Sequence, residues 1–187
     1  AIIRPIDASR LKTYPLQRRH SKVQVSNFAK VWTKGRSFAR FLDSLPDILA
    51  VKTLREVAKA IAKAHRNGKP VIVGMGAHVV KVGLGPLLVD LMERGIVTAL
   101  AMNGAVIIHD FELAFMGHTS EEVDAEIDSG RFGMAEETGR MLNEAITLGM
   151  KEGQGLGESL GSYIHRRKQL FPHRATSLLA TGFRLGL

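Results

Sequence analysis

The sequence predicts an α/β fold, a parallel sheet flanked by helices, and three observations predict it. Val71-Ile72-Val73 is a short β-branched run between Lys69-Pro70 and Gly74-Met75-Gly76, suited to a strand buried on both faces of a parallel sheet. Pro86 to Arg94 carries Leu87, Leu88, Leu91 and Met92 at helical spacing, with Asp90 and Glu93 off that stripe. Pro86 suits a first helical turn, and Gly95 suits the left-handed position that closes a helix. Ile96 to Met102 is a second apolar strand. Strand, helix and strand over about thirty residues make a βαβ unit. Its right-handed crossover sets the loops Gly74 to Gly85 and Asn103 to Asp110 on one edge of the sheet. Open α/β sheets bind their ligands at that edge.

The two loops carry chemistry suited to a ligand. Gly74, Gly76, Gly83 and Gly85 let backbone amides approach a phosphate or pyrophosphate. The first loop also exceeds the roughly two to six residues usual between a strand and its helix, which favours a function. The dinucleotide fingerprint G-x-G-x-x-G fails, because Val79 stands at its sixth position. Asn103 stands where an acidic residue usually closes the second strand. A ligand loop and plain turn chemistry both stay open on these residues alone.

Gly76-Ala77-His78-Val79-Val80-Lys81-Val82-Gly83, the helix ending Leu91-Met92-Glu93-Arg94-Gly95, and Asn103-Gly104-Ala105-Val106-Ile107-Ile108-His109-Asp110 together resemble the nucleotide-binding core of deoxyhypusine synthase and its relatives. The resemblance covers roughly Lys69 to Met134, with a weaker echo to Gly149. It implies a Rossmann-like domain that binds NAD at the strand ends, in a homo-oligomer (a tetramer or dimer), with a small amine or polyamine, or a carbonyl compound, as substrate. On that basis the cofactor-binding role falls to Gly76, Ala77, His78, Asn103, Gly104, Ala105 and Asp110. The family's reaction runs through an imine on a lysine near the carboxyl end of a much longer chain, and no segment here matches it. Lys81 is not its positional counterpart, so no catalytic residue is assigned. The contrasting expectation is a non-catalytic α/β oligomerisation or binding module that works through its basic arm.

Length suggests a sizeable core, and 45% apolar with 24% charged residues is ordinary for a soluble globular chain. With no cysteine, disulfides, thiolate metal sites and thiol nucleophiles are excluded. No metal site is expected, since the acids after Glu112 lack ligand spacing. No apolar run reaches the roughly eighteen residues of a membrane span, so the expected address is the cytoplasm. The net charge of +8 is uneven: between Arg4 and Arg40 lie ten Lys and Arg against the single acid Asp7. This basic arm suits an acidic partner or a nucleic acid. The absence of any nucleic-acid motif favours a solvated extension lying over a neighbouring subunit instead.

Two parts are expected: a basic arm and helix over residues 1–45, then the nucleotide-binding domain over 46–187. Residues 1–25, with Pro5 and Pro15, read as irregular. Asn27 to Leu42 reads as a helix with Gly35 as its weak point. A better-marked helix follows, with Ser44 as cap, Pro46 in its first turn, and Val51, Leu54, Ala58, Ile61 and His65 on its apolar side until Gly68. His65 suits the dipole at that helix's end.

After the βαβ unit, Ile107 to Phe115 continues as a helix with His109 and Asp110 in its first turn. Asp110 there fits either helix capping or a ribose hydroxyl or amine, and His109 fits a polar contact or proton carrier. Gly117 to Gly133 is acidic, with Thr119 or Ser120 able to cap a short helix. Arg131, in a glycine-flanked turn, suits a phosphate, a carboxylate or a surface salt bridge equally. Ala135 to Lys151 is a helix, the glycine cluster Glu152 to Gly161 a connection, Leu160 to Leu170 a short helix, and Ala175 to Leu185 another. No P-loop and no G-x-S-x-G serine setting occurs. Only two strands are visible, and a helix closes before Leu187, so the sheet is expected to be incomplete at the C-terminus.

Overall fold

In the computed structural model, which describes residues 7–187, the chain is a mixed α/β structure that is mostly helical. Its contacts divide it into two units, Ala1–Ala58 and Lys59–Leu187. The division falls inside a helix. Arg4 and Pro5 of the expected arm lie outside the described residues.

The first unit holds three single 3-10 turns, Ala8–Arg10, Leu16–Arg18 and Val25–Asn27, then helix α1, Phe38–Ser44. The helix expected over Asn27 to Leu42 is therefore confined to its last part. Gly35 takes φ +85, a left-handed turn that stops helix on its N-terminal side. Ser37 caps α1, accepting from the Arg40 amide. Ser44 ends α1 and donates to the Phe41 carbonyl, so it does not cap the next helix. Helix α2 runs Leu49–Arg66 instead. Arg55 draws the α1–α2 connection in, donating to the carbonyls of Leu42 and Leu45 at 2.5 and 3.1 Å and pairing with Asp47 at 3.3 Å. Among the described residues, none in α1 or α2 is buried.

The second unit opens with the expected βαβ arrangement. Strand β1, Ile72–Met75, pairs in parallel with β2, Ala99–Met102, in the register Ile72↔Ala99 to Met75↔Met102. Thr98 locks the start of the pairing: its amide donates to the Val71 carbonyl at 3.0 Å and its hydroxyl accepts from the Val71 amide at 2.9 Å. The long glycine loop contains a turn of helix, α3, His78–Lys81, which Gly83 at φ +82 joins to the crossover helix α4, Gly85–Glu93. Gly95 closes α4 at φ +65, as Gly must in that left-handed position. His65 anchors the end of α2 here, its Nδ1–H donating to the Gly95 carbonyl at 3.1 Å.

Strand alternation then divides the sheet into a covered and an open face. Val73, Met75, Leu100 and Met102 pack onto a core of Val80, Val89, Met92, Val97, Val106 and Leu178. Ile72, at 65% exposure, and the exposed Gly74 and Ala101 occupy the other face. Among the described residues, the sheet expected to be flanked by helices is a two-stranded ribbon with Ile72, Gly74 and Ala101 exposed on its second face.

Helix α5, Gly104–Met116, leaves β2 directly, and Gly117 ends it at φ +77. One turn, α6, Val123–Glu126, is all the helix in the acidic segment. Helices α7, Glu136–Lys151, α8, Leu156–Arg166, and α9, Leu178–Leu185, complete the unit. Helix α8 starts inside the expected glycine connection because its glycines serve close packing. At Gly161 a Cβ would lie 2.4 Å from the Leu179 carbonyl oxygen, and at Gly149 of α7 it would lie 1.8 Å from Ser159 Oγ. These crossings close a second core around Phe111, Leu160, Ile164 and Phe171, where Phe111 and Phe171 meet edge to face at 5.3 Å.

Candidate functional site

The carboxyl ends of the two parallel strands lie side by side, and the residues that leave them are open to solvent. Gly76 follows β1 and Asn103 follows β2; a Cβ on Gly76 would sit 4.0 Å from Asn103 Nδ2. Asn103 caps α5 through its side-chain oxygen, which accepts from the Val106 amide at 3.2 Å. This capping is why a strand ending in Asn-Gly-Ala passes straight into a helix. Gly76, His78, Asn103, Gly104 and Ala105 are exposed and Ala77 is half-buried. Beside Gly74 and Gly104 no heavy atom stands within 4 Å of where a Cβ would be. The N-terminus of α5, with its outward amides and positive dipole end, points into this edge.

Asp110, the seventh residue assigned to the site, is turned the other way. It is 2% exposed, and its carboxylate is consumed by the start of α9. Ser177 Oγ donates to Oδ2 at 2.6 Å, the Leu178 amide to Oδ1 at 2.8 Å and the Leu179 amide to Oδ2 at 3.2 Å. Burial pushes the Asp110 carboxyl up, and these three donors pull it back. A carboxylate so engaged caps a distant helix and does not face the open edge. The expected place in the first turn of its own helix is not found: α5 begins at Gly104, Asp110 lies in its second turn, and the carboxylate caps α9.

His109, its neighbour, faces a polar chain instead. Its Nδ1 lies 2.6 Å from Thr119 Oγ1, Thr119 donates to Glu112 Oε2 at 2.5 Å, and Thr138 donates to Glu112 Oε1 at 3.0 Å. Since the only Thr119 hydrogen goes to Glu112, Nδ1 carries the proton and donates to Thr119. This fixes the Nδ1–H tautomer and leaves Nε2 with a free lone pair. Burial lowers the pKa of His109, Glu112 opposes that shift, and Lys81 of α3 reinforces it. Thr119 is thereby used inside the network and caps no helix.

The lowered pKa carries a stability consequence. The unfolded chain takes up a proton as pH falls past the ordinary histidine value of 6.5, whereas the folded chain resists it. The stability supplied by neutral His109 is full above that pH and is lost as pH drops below it. His109→Gln should flatten the fall in unfolding free energy between roughly pH 7 and pH 5, measured by urea titration at each pH. An unchanged slope would mean His109 titrates normally.

Beyond this network opens a cleft of about 530 Å³ at the far end of α5. Glu112, Glu121 and Glu137 face an apolar wall of Phe115, Met116 and Met134. Arg131 also lines it, but its Nε is paired with Glu126 at 2.8 Å, the salt-bridge reading of that residue. Glu112 lies about 12 Å along α5 from Gly104 at the helical rise per residue. His109 stands between the strand ends and the cleft. Thr119, Glu112 and Thr138 were not singled out for this role from sequence. The i, i+3 spacing of His109 and Glu112 was the available signal, and nothing in the sequence pointed to Thr138.

No family model matches the chain, and neither does any curated protein or solved structure. Among the described residues no helix is long and apolar enough to cross a membrane, and no group of three His, Cys, Asp or Glu is placed to hold a metal ion.

Proposed function

We propose that this is a Rossmann-like, deoxyhypusine synthase-like protein that binds NAD at its strand ends and acts on a small amine held in the acidic cleft. The observation that carries the reading is the meeting of Gly76 and Asn103-Gly104-Ala105, exposed, at the carboxyl ends of two parallel strands. Open backbone at Gly74 and Gly104, the α5 N-terminus, the His78 ring and the Lys81 ammonium suit the phosphates. A carboxylate for the ribose is missing from this set, because Asp110 is committed to α9. Asn103 is the polar group left for that role.

When bound, NAD supplies a hydride acceptor. The chain's own residues supply the amine's surroundings. Glu112, Glu121 and Glu137 attract an ammonium group, and Phe115, Met116 and Met134 pack on its methylenes. His109, held as the Nδ1–H tautomer by Thr119, takes up a proton at Nε2.

Calorimetric titration of the chain with NAD tests the reading. Saturable binding is expected, and Gly76→Val should weaken it by about tenfold or more by placing a branched side chain in the open edge. Asp110→Ala is unsuited to this experiment, because it attacks the fold. No binding by a chain with an intact circular dichroism spectrum would defeat the proposal. Binding of NAD without any amine-dependent formation of NADH would retain the cofactor site and remove the amine chemistry.

A further inference from the structure

Residues 117–134 join α5 to α7 along one side of the cleft, and little holds them to either helix. None of them belongs to the two hydrophobic cores. Val123, Ile127, Phe132 and Met134 are exposed instead, Met134 at 75%. Along the segment only Thr119 and Glu126 are half-buried. Its hydrogen bonds turn inward: Glu121 accepts from the Gly133 amide at 3.1 Å, Arg131 pairs with Glu126, and Ser129 Oγ donates to the Glu126 carbonyl. The Gly117 amide still belongs to the last turn of α5. Beyond it, among the described residues, the Thr119 hydroxyl makes the only hydrogen bonds that leave the segment, accepting from His109 and donating to Glu112. The two ends are built to turn. Gly117 takes φ +77 and Gly133 φ +75, left-handed positions open to glycine without strain. Ser120 takes φ +70 directly after the Thr119 contact, a strained position for a residue with a side chain. A segment without core contacts that is fastened at one point opens more easily than the helices beside it.

We infer that residues 117–134 are a hinged lid on the cleft and that Thr119 is its latch. The lid supplies Ser120, Glu121 and Met134 to the cleft wall, and α5 supplies Glu112 and Phe115 on the fixed side. Gly117 and Gly133 are the hinges, since they absorb a change of backbone direction at low cost. The latch closes on the two groups that matter most in the cleft. Opening the lid takes the Thr119 oxygen away from His109, so the Nδ1–H tautomer is specified only when the lid is shut. Closure therefore completes the site as well as covering it. Glu121, Glu122, Asp124, Glu126 and Asp128 stand against Arg131 alone in the lid, so a shut lid adds negative charge at the mouth and suits a cation. Which ligand it closes on rests on the amine proposal above; hinges and latch stand without it.

The chain has no cysteine, so nitroxide labels at Asp128→Cys on the lid and Lys151→Cys at the end of α7 report a single distance. Both positions are exposed, so the labels should leave the fold intact. Double electron-electron resonance on the full labelled chain should show one dominant distance and a minor, displaced population. Thr119→Val in that background should raise the displaced population about tenfold, the loss of a latch made of two hydrogen bonds to a histidine and a carboxylate. Thr119→Ser keeps the hydroxyl and should restore the distribution of the parent chain. Addition of n-butylamine hydrochloride should shrink the displaced population. Two results would each overturn the inference: a distribution that Thr119→Val leaves unchanged, or one that Thr119→Ser displaces as far as Thr119→Val does. A distribution that responds to Thr119→Val but not to n-butylamine would uphold lid and latch and remove the amine from the cleft.

Discussion

Asp110→Ala should lower the unfolding free energy by about 3 to 5 kcal/mol, as much as truncating a core phenylalanine. The carboxylate accepts from Ser177 Oγ, the Leu178 amide and the Leu179 amide, all at a site where Ser177 and Leu178 are each 1% exposed. Alanine leaves those donors buried without acceptors, and each such group costs about 1 to 3 kcal/mol. The loss is not confined to one contact. Ser177 Oγ also accepts from the Ala180 amide, so the first turn of α9 is organised through the Asp110 side chain. Asp110→Asn keeps one acceptor oxygen and should cost roughly half as much. Urea denaturation followed by circular dichroism measures both. A loss below about 1 kcal/mol for the alanine variant would show that the cap contributes little.

Gly161→Ala is the second large effect. Alanine usually stabilises a helix interior by about 1 kcal/mol over glycine. At this position its Cβ would stand 2.4 Å from the Leu179 carbonyl oxygen and 2.8 Å from Phe183 Cβ. A helical carbonyl cannot swing aside as a lysine tip can, so α8 and α9 must separate. That opens the core of Leu160, Ile164 and Leu179. The net outcome should be a destabilisation of about 2 kcal/mol or more. Gly139→Ala, in α7, supplies the contrast: nothing stands within 4 Å of its Cβ position, and it should stabilise by about 0.5 to 1 kcal/mol. Thermal unfolding of the two variants side by side reads the difference. Equal effects would mean that helix propensity, and not the crossing, governs both.

The βαβ unit was legible because its signals are local. Val71-Ile72-Val73, Pro86 near the first turn and Gly95 at φ +65 each act within a few residues of themselves. The Asn103 cap went unread although it is just as local: the helix was expected from Ile107, and it begins at Gly104, with the Asn103 side chain accepting from the Val106 amide. The helix expected from Asn27 to Leu42 failed where spacing had no core behind it: Phe28 is 57% and Val31 95% exposed. The destination of Asp110 was illegible, because its partners lie 67 to 69 residues further on. Within its own helix an acid early in the sequence looks the same whether it caps, binds or is buried. The role of Gly161 was hidden likewise. A glycine among glycines reads as a connection until a second helix is laid across it.

The tie between Asp110 and α9 also bears on how the chain acquires its structure during synthesis. Both cores draw on α9, Leu178 in one and Leu179 in the other. As the ribosome releases α5, its carboxylate emerges toward a partner that has not yet been translated. The strands can pair, and Thr98 can clasp Val71, but neither core can close until residue 179 has left the exit tunnel. Until then the nascent chain carries an ionised group and a set of phenylalanines with nowhere to go, and it is in that interval that a holdase chaperone would find its substrate.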